Sequence, residues 1–144
     1  MKSFLLISFF CFLSVAAIAI PKVPTNHNDT TVSITDDDVI NNIVAAITAG
    51  DARKLATYFN TTVDLTIPSG DGTYSKSQAE MIVKNFFAQY PPVSFKINQQ
   101  GSSNEGSQFS IGTLVTKTAK FRTYFLLKKV NGVSLIHQLQ FETE

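Results

Sequence analysis

The sequence is short of cysteine, histidine and net charge, and each shortage excludes a class of function. One Cys and two His occur among 144 residues. The Cys, Cys11, sits in an apolar N-terminal stretch that reads as removable, so the exported chain has no disulfide, thiolate metal site or Cys nucleophile. After residue 19 the chain carries 11 basic and 11 acidic side chains. That balance gives no support for bulk attraction to nucleic acid or anionic lipid, and no nucleic-acid partner is expected. No P-loop, dinucleotide Gly motif, His-x-x-x-His pair or Ser elbow is present. His27 lies in a polar lead-in, so a zinc site would have to combine His137 with distant carboxylates, and neither metal nor cofactor is expected. The chain is too short for more than one ordinary domain and too apolar for disorder.

The apolar residues are unevenly placed. They make up 44% of the whole chain, but 15 of them fall in residues 1–19 and the remainder is about 38% apolar. Lys2 gives the positive start, Phe4 to Leu13 the apolar run, and Ala17-Ile18-Ala19 a small-x-small cleavage site. This is the pattern of a secretory signal, expected to be cleaved after Ala19. The alternative, a membrane anchor, needs about 20 apolar residues. Phe4–Ile20 is shorter, is interrupted by two serines, and ends at Pro21 and Pro24. The expected location is therefore the periplasm or the medium, with no membrane span after cleavage. Residues 20–35 form a polar lead-in, and residues 36–144 form a single domain. Asn28-Asp29-Thr30 and Asn60-Thr61-Thr62 fit the N-glycosylation pattern, which matters only in a eukaryotic secretory pathway.

Thr35 and the acidic run Asp36-Asp37-Asp38 open a first helix, where carboxylates cap free N–H groups rather than collect a metal. Val39, Ile40, Ile43, Val44 and Ile47 make its apolar face, and Gly50 ends it. Asp51 starts a short second helix with Leu55, Tyr58 and Phe59 inward. Val63, Leu65 and Ile67 alternate as a half-buried strand, and Thr73-Tyr74 is a candidate return strand. Ser75-x-x-Gln78 is a capping box for a third helix, whose inward stripe is Ala79, Ile82, Val83, Phe86, Phe87 and Tyr90. Strands follow at about 93–100, 108–117, 120–130 and 133–142, with an Asn131-Gly132 hairpin turn. This order predicts an α+β fold in which three helices cover one face of a curved antiparallel sheet of four to six strands, giving a cone-like domain.

Two register assumptions divide the sheet into faces. A two-residue turn at Asn131-Gly132 pairs Leu126 with His137 and Tyr124 with Leu139. A turn centred on Thr118-Ala119 pairs Thr113 with Tyr124. One face then carries Phe109, Ile111, Thr113, Val115, Arg122, Tyr124, Leu126, Val133, Leu135, His137, Leu139 and Phe141, and is expected to face the helices. Its polar members Thr113, Arg122, Tyr124 and His137, with Tyr58, outline a ligand pocket for a small apolar or anionic molecule. The bland reading has Arg122 reaching out at the sheet end and His137 satisfied in the core. A one-residue bulge would flip part of the assignment. The opposite face carries Leu114, Phe121, Phe125, Leu127 and Ile136, more apolar than a solvated face should be, so a homodimer through the sheet is expected there.

The element order looks like the nuclear transport factor 2-like fold. Several strings also resemble a secreted bacterial family known as domain of unknown function 4783, found mainly in Bacteroidetes. They are Gly50 to Asn60 (GDARKLATYFN), Leu65-Thr66-Ile67-Pro68, Gly72 to Glu80 (GTYSKSQAE), Gly101-Ser102-Ser103, Ile111-Gly112-Thr113-Leu114 and Arg122 to Leu127 (RTYFLL). The resemblance covers about residues 36–142. It implies fold and compartment but no activity and no catalytic residues, and it makes the two sequons coincidental. Thr118-Ala119 departs from the Gly-containing turn the family leads one to expect.

Three functions fit these residues. The favoured one is a non-catalytic domain that binds a small ligand in the cone or a partner on its surface. The second is a cone-fold isomerase or dehydratase with His137 or Asp64 as base beside Tyr124. Asp64 alternates with Val63 and Leu65 and so points away from the core, which counts against it. The third is a structural envelope component acting as a dimer. Charge divides between the halves, with three basic and seven acidic groups in residues 20–75 against eight and four in 76–144. Lys117, Lys120, Arg122, Lys128 and Lys129 thus collect near the strand ends, where solvated edges are the ordinary explanation.

Overall fold

A computed structural model describes residues 35–144. The signal at 1–19, Cys11, His27, the Asn28 sequon and nearly all of the lead-in lie outside the described residues.

Helix α1 (Asp36–Ala49) starts where the acidic run predicts. The Thr35 hydroxyl accepts from the Asp38 N–H, and the Asp38 carboxylate accepts from the Thr35 N–H at 3.0 Å. Val39, Ile40, Ile43, Ala46 and Ile47 are buried, and Gly50 follows in the left-handed conformation. Helix α2 (Ala52–Ala56) is capped by the Asp51 carboxylate, which accepts from the Lys54 N–H at 2.8 Å. Helix α3 (Lys76–Gln89) is capped by the Ser75–Gln78 box. Ala79, Val83, Phe86 and Phe87 are its buried residues, while Ile82 and Tyr90 are only half-buried.

Six strands form one sheet in the order β2-β1-β6-β5-β4-β3. They are β1 (Phe59–Ile67), β2 (Gly70–Ser75), β3 (Pro92–Ser102), β4 (Gln108–Thr116), β5 (Lys120–Val130) and β6 (Val133–Thr143). All neighbours are antiparallel except β1 and β6, which run parallel. The parallel pair arises because the β3–β6 meander returns to the edge of the β1–β2 hairpin in the same direction as β1. Register shifts interrupt the β1–β6, β3–β4 and β5–β6 pairings, and such bulges bend a sheet. Asn131 (φ 52°) and Gly132 (φ 81°) both have positive φ, as a type I′ turn requires.

The helix-covered face differs from the expected one, and His137 is the reason. Leu127 pairs with Ile136, but the next residue, Leu126, pairs with Gln138. His137 is thus an extra residue in β6, and the side-chain alternation of β6 reverses there relative to β5. Leu139 and Phe141 therefore share a side with Phe125 and Thr123, not with Tyr124 and Arg122. The β4–β5 turn is also displaced. It centres on Lys117-Thr118, so Thr113 faces Arg122 and Ile111 faces Tyr124. That is a two-residue shift, which leaves the faces of these two strands unchanged.

The inner face consequently carries Leu114, Phe121, Phe125, Leu127, Ile136, Leu139 and Phe141, all 0–1% exposed. The five residues expected at a dimer interface, Leu114, Phe121, Phe125, Leu127 and Ile136, are core residues instead. Phe86 of α3 joins Phe141 and Phe121 at ring-centroid distances of 4.6 and 5.1 Å, and Phe87 meets Phe141 at 5.9 Å. Gly112 leaves room on the same face for Phe95, since a Cβ there would lie 2.7 Å from the Phe95 ring.

Candidate functional site

Of the residues expected to line a pocket, Thr113, Arg122 and Tyr124 lie on the opposite, outward face, whereas Tyr58 packs half-buried against the core. Thr113 and Arg122 are register partners. The Thr113 hydroxyl accepts from the Asn98 amide at 3.0 Å and donates to the Glu144 carboxylate at 3.1 Å. Arg122 pairs with Glu142 across the strands at 3.3 Å, with both side chains about half exposed. Tyr124 stacks near Phe109 at 6.4 Å. His137 lies about 10 Å further along the strands, three residues before the Gln140 that pairs with Tyr124. Tyr58 precedes β1, and its carbonyl accepts from the Ile136 N–H at 2.7 Å. Thr113, Arg122 and Tyr124 are therefore neighbours on an open sheet face, and Tyr58 and His137 are apart from them.

His137 is half-buried, and its Nε2 has no hydrogen-bond partner. Burial lowers its pKa from the ordinary 6.5, the Lys128 charge lowers it further, and Asp64 opposes both. Its surroundings thus disfavour the charged imidazolium. Asp64 is exposed as the alternation predicts, and its carboxylate accepts from the Thr73 hydroxyl at 2.6 Å.

The acidic run at 36–38 is structural. Asp36 accepts from the Ser134 hydroxyl at 2.6 Å and from the Gln108 amide at 3.3 Å, and it meets the Lys129 ammonium at 3.0 Å. It ties the start of α1 to β4, β5 and β6. The Ser134 hydrogen bond, then Lys129, hold its carboxyl below the usual range. Among the described residues no group of three or more His, Cys, Asp or Glu is placed to hold a metal ion.

A concave site does exist, between α3 and the tip of the β1–β2 hairpin. The cleft measures about 370 Å³ and is lined by Ile67, Pro68 and Ser69 from the hairpin and Ile82, Asn85, Phe86, Gln89 and Tyr90 from α3 and its end. Phe86 is 3% exposed and brings the aromatic core to this site. Tyr90 packs on Phe86 at 5.3 Å and on Phe121 at 4.9 Å, and its hydroxyl accepts from the Gln89 amide at 3.3 Å. A second groove of about 410 Å³ shares Ile82 and is otherwise lined by Tyr74, Ser77, Gln78 and Met81. The helical stripe already contained Ile82, Phe86 and Tyr90. The missing signal was Gln78, Asn85 and Gln89, neutral residues that fall on the Ile82 side at 100° per residue.

The family model that matches the chain is the domain of unknown function DUF4783, over residues 40–142. No curated protein matches the chain. A DUF4783 protein from Bacteroides uniformis is 31% identical and superposes with a TM-score of 0.70, over 74% of this chain and 97% of that one. A second, from Bacteroides ovatus, is also 31% identical, with a TM-score of 0.68 over 72% of this chain and 93% of that one. A protein of unknown function from Cytophaga hutchinsonii, described as nuclear transport factor 2-like, shares the fold at 10% identity, with a TM-score of 0.55 over 76% of this chain and 90% of that one. The α+β cone expected from the element order is thus present, and the chain belongs to the DUF4783 family.

Proposed function

We propose that this chain is an exported, non-catalytic binding domain whose site is the cleft between α3 and the β1–β2 hairpin. One observation carries the reading: the cleft combines an aromatic floor with neutral hydrogen-bonding groups and contains no carboxylate, imidazole, amine or thiol. The Tyr90 phenol is its one titratable group and has no base in the cleft to exchange a proton with. Such a lining orients a ligand without transforming it. The His137–Tyr124 acid–base alternative loses support, because those residues lie on an open face about 10 Å apart along the strands. Backbone amide shifts on titration with small uncharged aromatic and aliphatic fragments test the proposal. Shifts should gather at Ile82, Asn85, Gln89 and Tyr90. Shifts gathered instead around Thr113, Arg122 and Tyr124, or none in the cleft, would sink it. Export rests on residues 1–19, and mass spectrometry of the protein from its source should find an N-terminus at Ile20; a retained Met1 would overturn export by cleavage.

A second reading, self-association through the sheet, keeps one specific support. The outward face presents half-buried Phe109, Ile111, Val115, Tyr124 and Leu126, with the Phe109 ring lying over Gly101 and against Tyr124. A homodimer would use this face rather than the five core residues. Light scattering at tens of micromolar tests it: a dimer broken by Ile111→Lys agrees, and a wild-type monomer removes it.

A further inference from the structure

We infer that the ligand class of the cleft is an elongated, uncharged amphiphile, with its hydrogen-bonding head beside Asn85, Gln89 and Tyr90 and its apolar tail along Ile82, Met81 and Tyr74. This rests on the proposed binding role of the cleft and goes on to specify what fills it.

The geometry of α3 carries the argument. The cleft and the groove share Ile82, so they adjoin along α3, and an elongated ligand laid across Ile82 would follow a furrow from Gln78 to Tyr90. Twelve residue steps of helix span about 18 Å. The two ends differ in chemistry. At the Tyr90 end, two side-chain amides, the phenol and the Ser69 hydroxyl supply both donors and acceptors. At the Tyr74 end, Met81 is 57% exposed beside Ile82 and the Tyr74 ring, an apolar strip open to water with Ser77 and Gln78 beside it. A thioether side chain there adapts to tails of different shape.

Charge is excluded along the whole furrow, although α3 is not poor in charge. Glu80 and Lys84 fall about 160° around the helix from Ile82, and Lys76 about 120°. Glu80 and Lys84 line a different depression, with Ala49 to Arg53. A ligand carrying a carboxylate or an ammonium would therefore lose hydration at its head without meeting a counter-charge. A hydroxyl, ester or amide head loses nothing it cannot recover from Asn85, Gln89 and Tyr90.

The test compares three probes below their micelle concentrations, read by backbone amide shifts: monododecanoylglycerol, monohexanoylglycerol and dodecanoate. The long neutral ester should bind at least about tenfold more tightly than the short one, because each half-buried methylene contributes about a twofold gain. It should also bind about tenfold more tightly than dodecanoate, and its shifts should extend from Tyr90 to Met81. Met81→Glu, at an exposed position that a folded chain tolerates, should weaken the long ester about tenfold and leave the short one unchanged. Equal affinity for the two chain lengths, or dodecanoate binding as tightly as its ester, overturns the inference while the cleft stands as a site for compact ligands. No shift between Ile82 and Tyr90 with any probe removes both.

Discussion

Truncation of Phe125 discriminates between the two possible faces of the sheet. Phe125 is 0% exposed, lies between Ser110 of β4 and Leu139 of β6, and shares its face with Phe121 and Leu127. Phe125→Ala should therefore cost about 3–5 kcal/mol, the range for a buried phenylalanine reduced to a methyl group. That is a large part of the 5–15 kcal/mol typical of a domain. Phe125→Leu is the milder companion and should cost about 1–2 kcal/mol while leaving a measurable folded baseline. The matched control is Leu126→Ala, one residue along and on the outward face, where the side chain is half-buried. Half of a leucine's burial corresponds to about 1 kcal/mol. Urea midpoints at constant m-value give the comparison. Phe125→Ala should lower the midpoint at least about threefold more than Leu126→Ala. Equal losses, or a larger loss at Leu126, would mean that the alternation is reversed and that Phe125 faces outward. Size-exclusion elution of Phe125→Leu should match the wild type, since a core residue holds no partner. Dissociation of a dimer by this variant with stability unchanged would refute the burial.

Asp36→Ala should cost about 2 kcal/mol, chiefly through the Ser134 hydrogen bond, because the Lys129 pair is exposed and contributes little; the neighbouring Asp37→Ala should change the urea midpoint by less than about 0.5 kcal/mol equivalent, and similar losses at both positions would show that the tie between α1 and the sheet is not what Asp36 supplies. Thr123 is 0% exposed and its hydroxyl has no hydrogen-bond partner, so Thr123→Val should raise stability by about 1 kcal/mol, and a loss of stability would show that the hydroxyl is satisfied. His137 has its pKa lowered on folding, so the unfolded chain takes up the proton first and stability declines as pH falls below about 6.5. His137→Gln should flatten that decline in urea titrations between pH 7.5 and 5, and an unchanged slope would refute the assignment.

What the sequence made legible follows from which interactions are local. The helix starts at Thr35 and Ser75, the stop at Gly50 and the turn at Asn131-Gly132 are set by groups within four residues of one another, and each appears where those groups place it. The faces of the sheet depend on pairings between distant residues. There a single inserted residue reverses all that follows, and no side chain in Ile136-His137-Gln138 announces the bulge. The reversal is confined by the same alternation. Phe109, Ile111, Thr113, Val115, Arg122, Tyr124 and Leu126 do share one face, so the grouping of β4 with β5 held and only its side was inverted. Leu139 and Phe141 made the difference. Assigned to the wrong side, two large apolar residues tipped the apolar count toward the face that points outward. The α3 cleft is hard to see in the sequence for a different reason. A helical stripe shows which residues are apolar but not how far the neighbouring layer extends over them. Ile82 and Tyr90 lie at the margin where the β1–β2 hairpin stops short, and that margin is set by the length of β1 and β2 rather than by anything in α3. A marginal apolar residue flanked by neutral amides, with the charges of its helix turned to the far side, is the sequence trace such a cleft leaves.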